Sequence, residues 1–162
     1  MRPLLKLFAV LLVLVGLLAI TSCEKVMSVF LPADDTRRVV ILEYHDFTSS
    51  DTAREYTVTA AEFESQLSCL SRSGYETVFF SDLIEFVYGE GELPEKCVVI
   101  TSDDGYRGVI EIASPICKKY GMKMSCAVIG NKTDMPTHFD LSEADTGTVE
   151  ITSHSYALHD NG

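Results

Sequence analysis

Cys97-Val98-Val99-Ile100-Thr101-Ser102-Asp103-Asp104-Gly105-Tyr106 is the stretch on which the fold turns. Its first five residues form a short apolar run with the branched side chains of a strand, and the run passes straight into two adjacent carboxylates and a glycine. In parallel α/β folds reactive groups collect at the carboxyl ends of strands, where loops hold them over the sheet. Neighbouring residues of an extended chain point to opposite sides. The pair is therefore suited to dividing its labour, one carboxylate ligating a metal while the other reaches a water. Gly105 lets the backbone turn sharply away. An isolated Asp-Asp-Gly also occurs in ordinary surface turns, so the neighbourhood has to carry the rest.

Upstream, residues 39–44 (VVILEY) make a second apolar, branched run, the pattern of a strand buried on both faces and hence of a parallel sheet. Thr59 and Glu62 form a capping box, followed by Phe63, Leu67 and Leu70 at helical spacing until Gly74, which predicts a helix over 60–73. A strand over 77–80, a helix over 82–88 with Leu83, Phe86 and Val87 inward, and a loop over 89–94 complete the approach to Cys97. Downstream, Val109, Ile110, Ile112, Ala113, Ile116, Cys117 and Tyr120 share a helical face that ends at Gly121. Pro115 interrupts it, and Ser114 as a cap with Pro115 in the first turn would start a second helix there. Strands over 124–129 and 149–152 follow. This alternation predicts an α/β fold with a mainly parallel sheet, open or closed into a barrel.

Just beyond the last of these strands stands His154-Ser155-Tyr156-Ala157-Leu158-His159. Histidines five apart lie about 140° apart on an ideal helix, so they converge on one ion only from a turn or distorted helix; otherwise they are two loop histidines. Two imidazoles and one carboxylate make a half-filled shell suited to zinc or another late divalent metal, with positions left for water and substrate.

The chain opens with Arg2, Lys6 and an uncharged apolar run over 7–20, too short for a bilayer span and of signal-peptide length. Ile20-Thr21-Ser22-Cys23 then resembles a lipobox, so residues 1–22 read as a signal peptide, Cys23 as the lipidated first residue and 23–38 as a tether. An uncleaved anchor is the competing reading, and either one places residues 39–162 outside the cytoplasm. The formal charge is −11, and removing Arg2 and Lys6 leaves 11 basic against 24 acidic residues. Such a surface repels phosphate backbones, so nucleic acid is excluded as a partner. Cys69, Cys97, Cys117 and Cys126 allow three pairings in an oxidising compartment; equally, each sits among apolar residues as a small buried hydrophobe.

The order of these residues resembles the polysaccharide deacetylases of carbohydrate esterase family four. Thr101-Ser102-Asp103-Asp104-Gly105-Tyr106 is similar to their opening motif, with Ser102 in place of a phenylalanine, and Ser153-His154-Ser155 with His159 is similar to their second. The spacing of the two histidines resembles the poly-N-acetylglucosamine-deacetylase-like lipoproteins. Tyr44-His45, Gly74-Tyr75, 93–96 and 118–121 follow the same order, so the resemblance spans about 39–159.

It implies a partial (β/α) barrel of the distorted (β/α)7 type, in which about five strands are countable here. It also implies that Asp104, His154 and His159 hold a divalent metal, zinc by preference, and that Asp103 is the general base. His45 would stand near the same mouth in a structural role. The implied reaction is hydrolytic removal of N-acetyl groups from an N-acetylglucosamine-containing envelope or extracellular polysaccharide. Residues 141–150 look short for the helix that precedes the second motif, and the later motifs have no counterpart, which makes 39–162 the N-terminal part of such a domain. The competing readings are an inactive remnant or non-catalytic glycan-binding module, and an acetylxylan-type O-deacetylase.

Lipidation is open to a direct check. In a bacterial host Cys23→Ser should move the protein from membrane to soluble fractions, and continued tight membrane association of the variant would point to an uncleaved anchor.

Overall fold

The computed structural model describes residues 37–157. Its elements in chain order are β1 (Val40–Tyr44), β2 (Asp46–Thr48), β3 (Thr57–Thr59), α1 (Ala60–Arg72), β4 (Glu76–Val78), α2 (Phe80–Tyr88), β5 (Cys97–Asp104), a π-helical turn (Val109–Ala113), α3 (Ser114–Tyr120), β6 (Met124–Ile129) and β7 (Val149–Ser155). All pairings between these strands are parallel, in a five-stranded sheet and a separate β2–β3 pair. The expected α/β class with a parallel sheet is the one observed.

β5 lies at the middle of the sheet because it is the most continuously apolar segment. Val98, Val99 and Ile100 are at most 2 % exposed. β1 covers one edge of β5 at Val98 through Ser102, while on the other edge β4 takes the first residues (Cys97–Val99) and β6 the last (Thr101–Asp104). β7 then pairs with β6. The layer beneath is built by α1, the π-helical turn and α3, which bury Phe63, Leu67, Val109, Ala113 and Cys117 against Ile100, Met124 and Cys126. Phe63 also meets Tyr44 and Phe47, with ring centroids 5.2 and 4.7 Å away. Such contacts add about 0.5–1.5 kcal/mol each to area burial.

α1 begins at the expected capping box: the Glu62 N–H donates to Thr59 Oγ1 at 3.2 Å, and Glu62 Oε2 accepts from the Thr59 N–H at 3.1 Å. α2 starts two residues earlier than expected because Asp82 Oδ2 accepts the Phe79 N–H at 2.9 Å and stabilises the turn before it. Val87, expected inward, is 72 % exposed. A second helix does begin here with Pro115 in its first turn, but Ser114 is its first residue and not its cap; the Ser114 N–H donates to the Val109 carbonyl, so the π-helical turn runs directly into α3.

Other expectations are also corrected. β1 is not buried on both faces; Val40 and Ile41 are 54 % and 46 % exposed, since β5 is its single neighbour among the described residues. β2 and β3 have no counterpart in the sequence reading, their three-residue lengths being too short to show a period. The four described cysteines are free, and three are buried as expected, but Cys69 lies exposed on α1. Residues 141–150 hold a single 3-10 turn, Leu141–Glu143, in agreement with their shortness. Among the described residues no helix is long and apolar enough to cross a membrane. The leader, the tether and the lipidation residue Cys23 lie outside the described residues.

Gly108 is where the layer beneath the sheet meets the start of β2. A Cβ there would collide with Asp46 Oδ1 and the Phe47 carbonyl and lie 2.8 Å from the Phe47 nitrogen. Gly108→Ala is therefore expected to lower unfolding stability by about 1–3 kcal/mol. Gly147→Ala, whose Cβ would come no nearer than 3.4 Å to Asp145 Oδ1, should stay within about 0.5 kcal/mol of the parent. Urea titration of both variants measures the difference.

Candidate active site

The chemistry-bearing side chains collect at the carboxyl ends of β1, β5 and β7. The strands run further than their apolar residues indicate: β5 includes both Asp103 and Asp104, and β7 includes His154, so these groups stand on paired strand and not in the loops beyond. Backbone pairing with β6 holds them: Asp103 is opposite Ala127 and Asp104 opposite Val128, while on the far side Val128 is opposite Ser153.

Asp104 and Gly105 both have positive φ, 72° and 85°. This left-handed bend is uncommon for a residue with a side chain and costs on the order of 1–3 kcal/mol. It ends β5 abruptly and leaves the two aspartates facing different hollows. Asp103 lines one of about 320 Å³ with Glu43, Thr101, Ser125 and Thr152. Asp104 lines another of about 400 Å³ with His45, Tyr56 and Tyr106.

His154 bridges the two. Its Nε2 lies 3.8 Å from Asp103 Oδ2 and 3.8 Å from Asp104 Oδ1. Two ligands on a tetrahedral ion with bonds of about 2.1 Å stand about 3.4 Å apart, so the His154–Asp104 spacing suits a shared cation. Asp104, which is 7 % exposed, shares its hollow with Tyr106.

On the other side, donor atoms of Glu43, His45 and Asp103 all fall within 4.8 Å of one another. His45, expected in a structural role, is thus part of the cluster, and Glu43 is a member the sequence reading missed. A single charge inside the apolar run over 39–44 was the available signal, because alternation along β1 puts it on the same side as Ile41, facing Asp103. His159 lies outside the described residues.

Burial holds the Asp103 carboxyl above its ordinary value; His154 and His45 pull it down, while Glu43 and Asp104 push it up. Ser102 takes up the place of an apolar residue in a different way. It is fully buried, and its hydroxyl donates to the His45 carbonyl at 2.7 Å, tying the end of β5 to the end of β1.

The chain is similar to known proteins in sequence and in fold. Residues 90–161 match the family model described as polysaccharide deacetylase. Residues 90–161 are thus similar to the polysaccharide deacetylases. YxkH of Bacillus subtilis (strain 168), whose name assigns it to the polysaccharide deacetylases, is 30 % identical over 131 residues, which cover 79 % of this chain and 46 % of that protein. A poly-beta-1,6-N-acetyl-D-glucosamine N-deacetylase of Staphylococcus aureus (strain N315) is 32 % identical over 124 residues, 70 % of this chain and 42 % of that one. The chain thus spans less than half the length of these curated relatives. Among solved structures, IcaB from Ammonifex degensii superposes with a TM-score of 0.65 at 25 % identity, covering 76 % of this chain and 55 % of the other. The Streptococcus pyogenes deacetylase PplD, in complex with acetate, gives 0.62 at 21 % identity and shares the fold. The open parallel sheet corresponds to part of the barrel of these deacetylases, as the partial (β/α) barrel expectation required.

The raised Asp103 carboxyl has a thermodynamic consequence. A carboxyl whose pKa is higher in the folded than in the unfolded chain contributes stability below the unfolded value, near 3.8, and loses it as pH rises through the folded value. In chelator-treated buffer, Asp103→Asn should therefore gain thermal stability over the parent as pH rises from below 4 to 7. A gap that narrows toward neutrality would mean the folded protein favours the ionised form.

Proposed function

We propose that this domain removes N-acetyl groups hydrolytically from an N-acetylglucosamine-containing cell-envelope or extracellular polysaccharide, using a divalent metal. The observation that carries this reading is His154 Nε2 standing 3.8 Å from both Asp103 Oδ2 and Asp104 Oδ1 at the carboxyl ends of parallel strands. Relatives named as poly-beta-1,6-N-acetyl-D-glucosamine N-deacetylases support the amide and the sugar, in preference to the O-acetyl group of a xylan.

Asp104 and His154 would hold the ion, joined by His159, and mixed imidazole and carboxylate donors favour zinc. Such an ion, when bound, supplies Lewis-acid polarisation of the acetamide carbonyl and lowers the pKa of a ligated water. Asp103 then does the work of the base. Its Oδ2 faces the same space as His154 from the neighbouring hollow, and its raised carboxyl pKa brings its proton affinity closer to that of the water it deprotonates. The acidic, nucleic-acid-averse surface is compatible with a neutral glycan that gains amines as acetyl groups leave. Export and lipid anchoring at Cys23 would bring the domain to that polymer outside the cytoplasm.

A second assignment has its own observation, the grouping of Glu43, His45 and Asp103 donors within 4.8 Å. In that arrangement Asp103 is a ligand and not the base.

The two aspartates separate these readings. Asp104→Asn is expected to lose both metal and acetate release from an N-acetylglucosamine oligomer. Asp103→Asn should keep the metal and lose turnover by about 10²- to 10⁴-fold. Metal is measured by elemental mass spectrometry and acetate by coupled assay. Loss of metal from Asp103→Asn with retention in Asp104→Asn would establish the second assignment. Metal retention with no acetate released by the parent itself would favour a glycan-binding remnant.

A further inference from the structure

The loop that leaves β5 is held from behind by residues outside both motifs. Tyr106 forms an isolated antiparallel bridge with His138. The Arg107 N–H donates to the Thr137 carbonyl at 3.0 Å and the Phe139 N–H to the Gly105 carbonyl at 3.2 Å. The Arg107 guanidinium closes the far side, with Nη1 donating to the His138 carbonyl at 3.2 Å and Nη2 pairing with Glu143 Oε1 at 2.9 Å.

Within this clamp the His138 and Tyr106 rings stack, with centroids 4.8 Å apart and planes 29° apart. His138 is 7 % exposed; its Nδ1 lies 2.9 Å from Thr137 Oγ1, and its Nε2 is buried with no hydrogen-bond partner among the described residues. An unsatisfied buried nitrogen costs about 1–3 kcal/mol. A phenyl ring would fill the space without that cost, so packing alone does not account for the imidazole. The other face of the arrangement is Asp104, which lines the same hollow as Tyr106 and whose backbone sits in the costly left-handed bend. A bend of that kind persists only where its surroundings over-determine it.

We propose that His138 is a positioning residue: anchored by Thr137, it fixes the Tyr106 ring, and Tyr106 in turn aims the Asp104 carboxylate. The mechanical part of this inference stands on the geometry, and its functional weight rests on Asp104 being a metal ligand, as proposed above. His138 has no contact with substrate in this scheme and acts only through Tyr106.

The test uses the full chain with Co²⁺ as a spectroscopic probe and hydrogen exchange of the 105–108 amides as a metal-independent readout. His138→Ala should weaken Co²⁺ binding by about tenfold, as loss of an outer partner of a ligand typically does, change the Co²⁺ visible spectrum and accelerate exchange at Gly105 and Tyr106. Tyr106→Phe, which keeps the ring and removes the hydroxyl, should weaken Co²⁺ binding to a similar degree. The double variant should be no weaker than the weaker single one, because both lie on one path. Additive losses, or wild-type affinity and exchange in His138→Ala whatever its melting temperature, would overturn the proposal. Thr137→Val, at an exposed position, tests the same anchor should His138→Ala not fold. If Asp104→Asn binds Co²⁺ like the parent, it is the ligand assignment that has failed; the amide exchange then decides His138 alone, fast exchange supporting it and unchanged exchange overturning it.

Discussion

The left-handed bend at Asp104-Gly105 is the constraint on which the rest of the site depends. It is affordable because the strand that leads into it is paired on both edges and buried, so the backbone arrives in a fixed direction. The loop beyond it is equally restrained by the bridge from Tyr106 to His138 and by the Arg107 ion pairs. Rigidity on either side turns a local strain of about 1–3 kcal/mol into a stable difference in direction between two adjacent carboxylates. One faces each hollow, and His154 reaches both.

That concentration of like charge is unfavourable by itself. Glu43, Asp103 and Asp104 stand together with two imidazoles, and burial acts against the ionised Asp103. A divalent cation would offset this repulsion, and coupling between metal affinity and folding follows, since whatever binds only the folded form stabilises it. Sites of this kind commonly trade stability for function. Ser102 illustrates the opposite tendency. Its buried hydroxyl is satisfied by the His45 carbonyl, so a polar residue at the centre of the sheet becomes a tie between β1 and β5.

Much of this was legible in the sequence because it is encoded locally. The apolar run before Ser102, the capping box at Thr59 and Glu62, the glycine stops at Gly74 and Gly121, and the pairing of Asp-Asp-Gly with a later His-Ser each depend on neighbours in the chain. Periodicity and turn chemistry therefore suffice to give the parallel α/β class, and the two motifs give the family and its candidate residues. Where such signals are weak the reading fell short: β2 and β3 are too short to show a period, and the ends of β5 and β7 are polar, so their extension through Asp104 and Ser155 could not be inferred from apolar character.

What only the tertiary structure decided is set by partners distant along the chain. β1 has the composition of a doubly covered strand, yet one of its edges and much of its apolar surface are open, because coverage depends on which strands pair with it. Glu43 and His45 join Asp103 through the β1–β5 register, and His138 comes behind Tyr106 through a bridge spanning about thirty residues. Neither contact leaves a mark in local periodicity. The sequence by itself determined which residue types could do the chemistry and which segments would be strands; the distances among Asp103, Asp104, His154 and Glu43 arise from sheet register and from one strained bend, properties of the folded chain as a whole.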